Sequence, residues 1–520
     1  MKPCSSLRRG AITPRLLVAL VASTAATAAV SMLAACGSDS SANGPGADAG
    51  TNDGTVASDG YAPPLLDDSG VANNGGDSGP CKNLQCNIAS CSGGSSTTIS
   101  GRILDPAGHN PLNGVVVYVP NTTLSALPAG ATCDTCSSLF SGDPVASAIT
   151  GPDGKYTIKF APSGSQIPLV VQVGKWRKQT NAATVTPCTD NAQPDIKLPS
   201  KSSEGDLPNI AVSTGALDSL ECLLQRIGID SSEFVAGNGG SGHVHYFLGG
   251  QPGSQGDTEG ACGVPNAGTS VGGSENGVGT NEPASYQALW DTTAHLMAYD
   301  IVLLSCEGGE TYMPNLQALH DYTGAGGRVF ASHFHYAWFN AGPFASENVA
   351  DWQAGECTGS GNPVNGTVVT TLANGMAYAK GAAFNQWLGN VGALTGGKLP
   401  VYSAKDNGKL GATNTVSQSW IAAGANDPGV SLYFSFDTPT NAVAPPDGGP
   451  PPYCGRVVYS GLHVAGAPTT QDDRDAGGPP TGCAQTTLSA QEDALEFMLF
   501  DLSSCVTVDS APPTNPIPIK

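Results

Sequence analysis

The sequence predicts a multidomain protein in which a β-sandwich precedes a larger α/β domain with a mostly parallel sheet. Residues 97–200 contain short strand-like runs at regular spacing with turn residues between them, a pattern typical of sandwiches. Within residues 205–505, strands alternate with glycine turns and helices, and Ile301–Leu304 is the continuous apolar run that a parallel sheet buries on both faces. The 68 Gly and 39 Pro residues favour strands and long loops over helix bundles.

Residues 1–36 have the pattern of a secretory signal. Four basic residues precede an apolar run over residues 16–35, which ends in Leu-Ala-Ala-Cys36. This ending resembles the bacterial lipobox, which implies acylation of Cys36 with a fatty acid such as palmitate. Gly37 after the lipobox implies the outer membrane of a Gram-negative bacterium. The alternative is a plain transmembrane anchor, because about twenty apolar residues can span a bilayer.

The chain beyond the signal begins and ends in segments of low hydrophobicity. Residues 37–80 are rich in Gly, Ser, Asp and Asn and predict a disordered tether, because they bury too little apolar surface to offset their ordering entropy. A Cys-rich segment over 81–96 follows, and a Pro-rich tail occupies 506–520. The net charge of −21 argues against nucleic acid as a partner. A nucleotide is not expected, because no G-x-G-x-x-G motif follows the first strand of the α/β domain.

Fifteen cysteines in an exported chain predict disulfides. Disulfide candidates are the cysteines of the 81–96 segment and a Cys-x-x-Cys loop closed between its own two cysteines: Cys81, Cys86, Cys91, Cys133 and Cys136. An odd number, thirteen, remains once Cys4 and Cys36 are set aside. At least one thiol is therefore expected unless a disulfide joins two chains, and Cys306 at the end of a buried strand is the candidate. A zinc ribbon at residues 133–136 would need a second pair at ribbon spacing.

The predicted sandwich carries two motifs of a known domain. Its strands are Thr98–Leu104, Val115–Val119 and Leu169–Val173, with a hairpin turn at Asp153-Gly154. The segments SGRILDPAGHNPLNGVVVYV and ITGPDGKYTIKFAPSG resemble the carboxypeptidase regulatory-like domain, a transthyretin-like sandwich grouped with carbohydrate-binding-like folds. The resemblance implies an accessory stalk or spacer.

The α/β domain is predicted from alternating strand and helix patterns. Its last helix begins with a capping box, Ser489 with Glu492. The other predicted elements are strands at Ile210–Ser213, Ile301–Leu304, Arg328–Ser332, Val430–Phe436 and Arg456–His463, and helices over 217–227, 286–299, 316–323 and 382–388.

The segment GGRVFASH, residues 326–333, resembles the glycine-strand-histidine segment of trehalose-utilisation-like proteins, which are related to the class I glutamine amidotransferase fold. In the amidotransferases the equivalent strand enters a Gly-x-Cys-x-Gly nucleophile elbow. Here Ala331, Ser332 and His333 stand at that place without a cysteine or a following glycine. The resemblance therefore implies the fold and not the glutaminase chemistry.

The candidate site follows from where the strands end, because ligands of α/β sheets bind beyond the carboxyl ends of the strands. Cys306 and Glu307 follow one strand, His333 and His335 follow the next, and His463 ends another. On an extended segment His333 and His335 would project to the same side, so they could converge with His463. Three imidazoles would suit a transition metal such as zinc.

Other roles for these residues stay open. Cys306 could act as a nucleophile with His333 as its base, and His335 and Glu307 are further catalytic candidates. The histidines could also have a metal-free catalytic or ligand-binding role. They could equally be packed, hydrogen-bonded groups among the aromatic residues near them. His243 and His245 form a second pair with the same spacing.

Three functions are compatible with these patterns. The favoured one is a cell-envelope lipoprotein whose sandwich stalk presents a non-catalytic α/β domain for binding or envelope structure. The second is a hydrolase-like enzyme that acts on extracellular carbohydrate or peptide material through a site of His333, His335 and His463. The third is a carbohydrate-binding surface protein acting through the sandwich. The expected partners are the membrane, through the lipid anchor, and surface glycans or peptides.

Overall fold

The computed structural model describes residues 80–134, 136–215, 218–249, 285–307, 309–310, 313–353, 363–372, 374–412, 414–446, 451–464 and 487–507. The predicted signal peptide with Cys36, residues 37–79 of the tether and residues 508–520 of the tail lie outside these ranges. Within the ranges, no helix combines the length and the apolar character that crossing a bilayer requires.

The described chain is built mostly of strands, arranged in several sheets, with some helices. The first eight strands are β1 (Thr98–Leu104), β2 (Val116–Val119), β3 (Ala146–Ile149), β4 (Lys155–Lys159), β5 (Gly164–Val173), β6 (Trp176–Val185), β7 (Asp190–Ala192) and β8 (Ile196–Lys197). They are followed by β9 (Ile210–Ser213), β10 (Phe234–Ala236), β11 (Val244–Phe247), β12 (Ile301–Leu304), β13 (Arg328–Ser332), β14 (Asp351–Trp352), β15 (Val364–Val368), β16 (Leu399–Val401), β17 (Gly408–Lys409), β18 (Gln418–Ala422), β19 (Ser431–Thr438) and β20 (Gly455–Ser460). The α-helices are α1 (Cys136–Leu139), α2 (Leu220–Arg226), α3 (Gln287–Trp290), α4 (Thr293–Leu296), α5 (Leu316–Gly324), α6 (Gly342–Ala345), α7 (Ala379–Val391) and α8 (Ala490–Ser503).

Strands β1 to β8 form two four-stranded sheets. One has the order β4-β1-β7, with β8 also pairing with β1, and the other has the order β3-β2-β5-β6. Ile99 and Ile158 of the first sheet and Val117 and Val171 of the second are fully buried in one core. The ten-residue strand β6 was not predicted, because most of its residues beyond Trp176 are polar and several are exposed to solvent.

Ten of the other strands form one sheet, in the order β10-β11-β9-β12-β13-β20-β19-β18-β15-β16, and β14 and β17 pair in a separate two-stranded sheet. The first six strands are parallel, whereas the pairings from β20 to β16 are antiparallel. The sequence predicts a mostly parallel sheet, and the structure differs from this prediction in the four antiparallel strands β19, β18, β15 and β16 that extend the sheet beyond β20. Antiparallel neighbours need no crossover helix, and the described chain between β19 and β20 contains none.

Helices cover both faces of this sheet. Ile301 and Leu303 of β12 belong to one core with residues of α2, α7 and α8, whereas Val302 and Leu304 belong to a second core with residues of α3, α4 and α5. This division follows from the alternation of side chains along a strand. It also explains why all four residues of β12 are apolar, since neither face meets solvent.

The predicted helix over residues 286–299 is two short helices, α3 and α4. The Oγ1 of Thr292 accepts a hydrogen bond from the backbone N–H of His295 at 3.3 Å, so Thr292 is the N-cap of a new helix. The apolar pairs Leu289-Trp290 and Leu296-Met297, seven positions apart, predict one helix, but the cap at Thr292 lies between them.

The two-sheet body packs directly against the large sheet, with a shared core. Trp176 of β6 contacts Phe500 of α8 with ring centroids 4.9 Å apart. Next to it, Lys175 Nζ donates to Asp300 Oδ1 at 2.6 Å, an ion pair with little exposure. These contacts hold the two parts of the protein side by side.

The cysteines pair in a pattern that the sequence left open. The disulfides are Cys81–Cys86, Cys91–Cys188 and Cys133–Cys454, and Cys222 and Cys505 are also disulfide-bonded. The prediction that Cys133 closes a loop with Cys136 is wrong, because Cys133 pairs with a residue 321 positions away. Spacing alone cannot determine connectivity, and here the chain containing Cys133 packs beside the start of β20.

The Cys133–Cys454 disulfide should contribute measurably to stability. We expect the Cys133→Ser/Cys454→Ser double variant to lose about 2–4 kcal/mol of unfolding free energy, since the bond closes a very long loop of the unfolded chain. Guanidinium unfolding under non-reducing conditions measures this loss. The matched control is Cys81→Ser/Cys86→Ser, whose bond spans only 5 residues and should matter less. Equal losses in the two double variants would contradict the loop argument.

Candidate functional site

The carboxyl ends of four neighbouring parallel strands meet at one edge of the large sheet. The predicted site residues follow three of these strands. Cys306 and Glu307 come after β12, His333 and His335 after β13, and His463 after β20. The structure therefore places all five at the sheet edge that the sequence predicts.

A sharp backbone turn orients His333. The residue has φ 44°, in the left-handed region, and it lies between β13 and a 3-10 helix over His333–Trp338. A non-glycine residue adopts this conformation at an energetic cost and is rare outside turns and functional sites. The resulting strand-to-helix elbow places the His333 imidazole in the protein interior, where only 1% of the residue is exposed.

Three metal-ligating side chains converge there. Cys306 Sγ lies 3.3 Å from His333 Nδ1, and the rings of His333 and His463 have centroids 5.2 Å apart. One ligand atom from each of the three residues lies within 4.8 Å of the others. All three are buried, with 0%, 1% and 3% exposure for Cys306, His333 and His463. We call this group the Cys-His-His cluster.

His335 belongs to a different contact. The prediction grouped His335 with His333 and His463 because it assumed an extended segment, and that assumption is wrong, since the segment is a 3-10 helix. The Nε2 of His335 instead lies 3.0 Å from the carbonyl oxygen of Ser305 and 3.2 Å from Glu307 Oε2. The third member of the group with His333 and His463 is Cys306, not His335.

The electrostatic surroundings keep the cluster histidine neutral. Burial lowers the pKa of His333 well below its ordinary value, and the neighbouring His463, Lys405 and His335 lower this pKa further. A neutral imidazole has a lone pair available for a metal ion. The Nε2 atom of His333 is buried without a hydrogen-bond partner in the described part of the chain.

Asp218, which the sequence analysis did not single out, ties the elements of the site together. Its Oδ2 accepts a hydrogen bond from Ser332 Oγ at 2.6 Å, and its Oδ1 accepts one from the backbone N–H of Val464 at 2.8 Å. These donors adjoin His333 and His463 in the chain. Burial raises the pKa of Asp218 to about 6. Its position just after β9, the fourth strand at this edge, is the signal that could have identified it.

The second histidine pair lies away from this edge. His243 immediately precedes β11, and its Nδ1 lies 2.6 Å from Glu233 Oε2. His245 Nδ1 lies 2.8 Å from the carbonyl oxygen of Gly237. Each imidazole thus has its own local partner near the start of β11, where the chain enters the sheet.

Comparison with known proteins does not assign a family. No known protein family and no curated protein matches the chain. Among solved structures, a type II cohesin–X-dockerin complex mutant from Acetivibrio cellulolyticus is 16% identical over 27% of this chain and 76% of that one, with a TM-score of 0.14. The dioxygenase domain of a dioxygenase carbohydrate-binding protein fusion from Streptomyces sp. SirexAA-E is 19% identical over 24% of this chain and 90% of that one, also with a TM-score of 0.14.

A 9R-lipoxygenase from Cyanothece PCC8801 is 13% identical over 20% of this chain and 16% of that one, with a TM-score of 0.12. Likenesses this weak carry no argument about fold or activity.

Proposed function

We propose that this chain is a cell-envelope lipoprotein whose function is to bind one transition-metal ion at the Cys-His-His cluster. In this proposal, Cys36 carries the lipid, residues 97–200 form a carboxypeptidase regulatory-like sandwich, and residues 205–505 form an amidotransferase-like α/β domain without glutaminase activity. The observation that carries the proposal is the convergence of Cys306, His333 and His463 from three parallel strands within 4.8 Å.

The chemistry of the three donors fits a metal such as zinc or copper. A thiolate and imidazoles are the ligands that these ions prefer over carboxylates and water. A metal ion bound at Nε2 of His333 would give this buried atom the partner that it lacks among the described residues. A metal ion bound at Nδ1 would instead replace the contact of that atom with the Cys306 thiol. A buried polar atom that lacks a hydrogen bond costs about 1–3 kcal/mol, and ligation is one way to offset that cost.

A binding role is favoured over glutamine hydrolysis because of what stands at the elbow. The left-handed residue after β13 is His333, whereas the cysteine of the cluster follows the neighbouring strand β12. A nucleophile elbow presents its nucleophile at that strained position. An imidazole there serves ligand binding better than acyl transfer from glutamine.

The sandwich is not where we place a binding function. A carbohydrate site of the usual kind needs exposed aromatic rings on which sugars stack. The aromatic residues of 97–200 are buried or half-buried: Tyr118, Phe140, Tyr156, Phe160 and Trp176.

Metal analysis tests the proposal directly. The chain from Gly37 onward, secreted into an oxidising compartment and purified without chelator, is expected to carry about one equivalent of a transition metal. Cys306→Ser, His333→Ala and His463→Ala should each lose it, because a two-donor remnant binds metals weakly. His295→Ala, which changes an exposed histidine outside the site, should retain the metal. Circular dichroism shows whether each variant is folded.

A second candidate function, a thiol-dependent hydrolase, is favoured by the 3.3 Å contact between Cys306 Sγ and His333 Nδ1. It predicts a metal-free protein in which iodoacetamide alkylates Cys306 rapidly at neutral pH, with His333→Ala slowing the reaction. Folded protein without metal and with a reactive Cys306 would replace the metal proposal by this one. Folded protein with neither property would overturn both.

A further inference from the structure

The donor set of the Cys-His-His cluster points to the identity of its ion. We infer that the ion is copper, bound through the thiolate of Cys306 and the imidazoles of His333 and His463. This inference rests on the proposed metal-binding function and specifies it further.

One thiolate with two imidazoles is the equatorial ligand set of copper electron-transfer sites. Structural zinc sites instead use four protein ligands, and catalytic zinc sites keep an open position for water. Copper is also the ion at the maximum of the general affinity order for divalent metals in nitrogen and sulfur sites. Among the described residues, the cluster brings together three donor side chains, namely one cysteine sulfur and two imidazoles.

The oxidation states of the cysteines support a thiolate ligand. Cys306 has a thiol, whereas the other cysteines whose side chains are described are all in disulfides: Cys81, Cys86, Cys91, Cys133, Cys188, Cys222, Cys454 and Cys505. The Cys306 sulfur faces a histidine ring in a fully buried position. The other described cysteines are thus oxidised, whereas Cys306 keeps a thiol sulfur, which is a soft metal ligand, in the Cys-His-His cluster.

The surroundings of the cluster favour a fixed geometry. Asp218 bonds to the residues adjoining His333 and His463, and Gln491 Nε2 of α8 donates to the His463 carbonyl oxygen.

These bonds fix the residues next to both histidines in the chain and the backbone carbonyl of His463. Asp218 is therefore a positioning residue, and we expect Asp218→Asn to weaken copper binding by roughly 10–100-fold, the effect typical of outer-shell partners of metal ligands. Asp153→Asn, at a half-exposed turn of the sandwich, is the control and should leave copper affinity unchanged. A spectral shift in Asp218→Asn distinguishes altered ligand geometry from a general loss of folding.

The decisive experiment is titration of metal-free full-length mature protein with Cu²⁺. We expect one equivalent to bind and to produce an intense visible absorption band from charge transfer between the Cys306 thiolate and Cu²⁺. Cys306→Ser should lose this band while the protein remains folded. Ascorbate should bleach the band, because Cu²⁺ takes one electron from ascorbate and becomes Cu⁺ with the ligands retained, and ferricyanide should restore it by removing that electron.

The outcomes separate this inference from the function on which it rests. If Zn²⁺ or Co²⁺ binds with one equivalent and is lost in His333→Ala, but Cu²⁺ gives no thiolate band, the copper inference fails and the metal-binding function stands. If none of the three ions binds the folded protein, both fail. A band that persists in Cys306→Ser would place copper elsewhere and overturn the inference.

Discussion

Glu492→Gln is expected to destabilise the folded protein by about 3–5 kcal/mol. Glu492 of α8 forms an ion pair with Arg226 of α2, and both side chains are almost fully buried. The substitution keeps the shape of the side chain but removes the negative charge that Glu492 places against Arg226 in the core, where breaking a buried ion pair is very costly. Chemical denaturation followed by circular dichroism measures the loss.

The same residue also begins α8. The Oε2 of Glu492 accepts a hydrogen bond from the backbone N–H of Ser489 at 2.7 Å, which completes the capping box predicted from the sequence. Glutamine can still accept that bond, so Glu492→Gln isolates the charge effect, whereas Glu492→Ala should add the loss of the cap, about 1 kcal/mol.

Two control variants test whether the buried ion pair between Arg226 and Glu492 causes the loss of stability. Arg226→Met/Glu492→Gln removes both charges of the pair, keeps the acceptor of the capping box and should lose less stability than Glu492→Gln alone, because the two charges are removed together. Asp153→Asn breaks the exposed pair with Lys155 and should cost less than about 1 kcal/mol. A loss for Glu492→Gln as small as that for Asp153→Asn would contradict a stabilising role of the buried ion pair.

Raising the pH from about 5 to 8 is expected to lower the unfolding free energy by an amount on the order of 4 kcal/mol. The cause is a group of buried carboxyls where the two-sheet body meets α8. Burial raises the pKa of Asp493 to about 7 and that of Glu496 well above its ordinary value, and the nearby Asp105 raises the pKa of Glu496 further. Asn110 Nδ2 donates to both Asp493 Oδ1, at 3.0 Å, and Glu496 Oε2, at 2.6 Å.

The sign follows from which state holds more protons. In the unfolded chain these carboxyls have pKa values near 4, so between pH 4 and the raised pKa values the folded state binds more protons than the unfolded state. This contribution to stability is complete below the unfolded pKa and is lost as the pH rises through the folded pKa. Raising the pH therefore weakens the packing of the two-sheet body against α8.

Unfolding free energies at a series of pH values test this expectation. The Asp493→Asn/Glu496→Gln double variant replaces the two acids by neutral amides of the same shape and should flatten the dependence between pH 5 and 8. Asp195→Asn, in an exposed pair with Arg102, is the control and should keep the wild-type slope. A slope of the opposite sign in the wild-type protein would contradict the proposed role of the carboxyls.

Buried strands are the part of this fold that local sequence predicts well. The predicted bounds of Ile210–Ser213, Ile301–Leu304 and Arg328–Ser332 match β9, β12 and β13. Each is a short run bounded by residues that interrupt strands, and this information lies within a few positions of the chain. The polar strand β6 escaped prediction because burial on one face of a sheet leaves a weaker signal.

The sequence by itself determined which side chains reach the functional edge of the sheet, because parallel strands end together and the residues after them are set by strand bounds. Only the tertiary structure decided how those side chains group. A left-handed turn at His333 and a 3-10 helix direct this residue toward Cys306 and His463 and leave His335 with Glu307. These choices, like the bond from Cys133 to Cys454, depend on contacts between segments far apart in the chain, which no local pattern encodes.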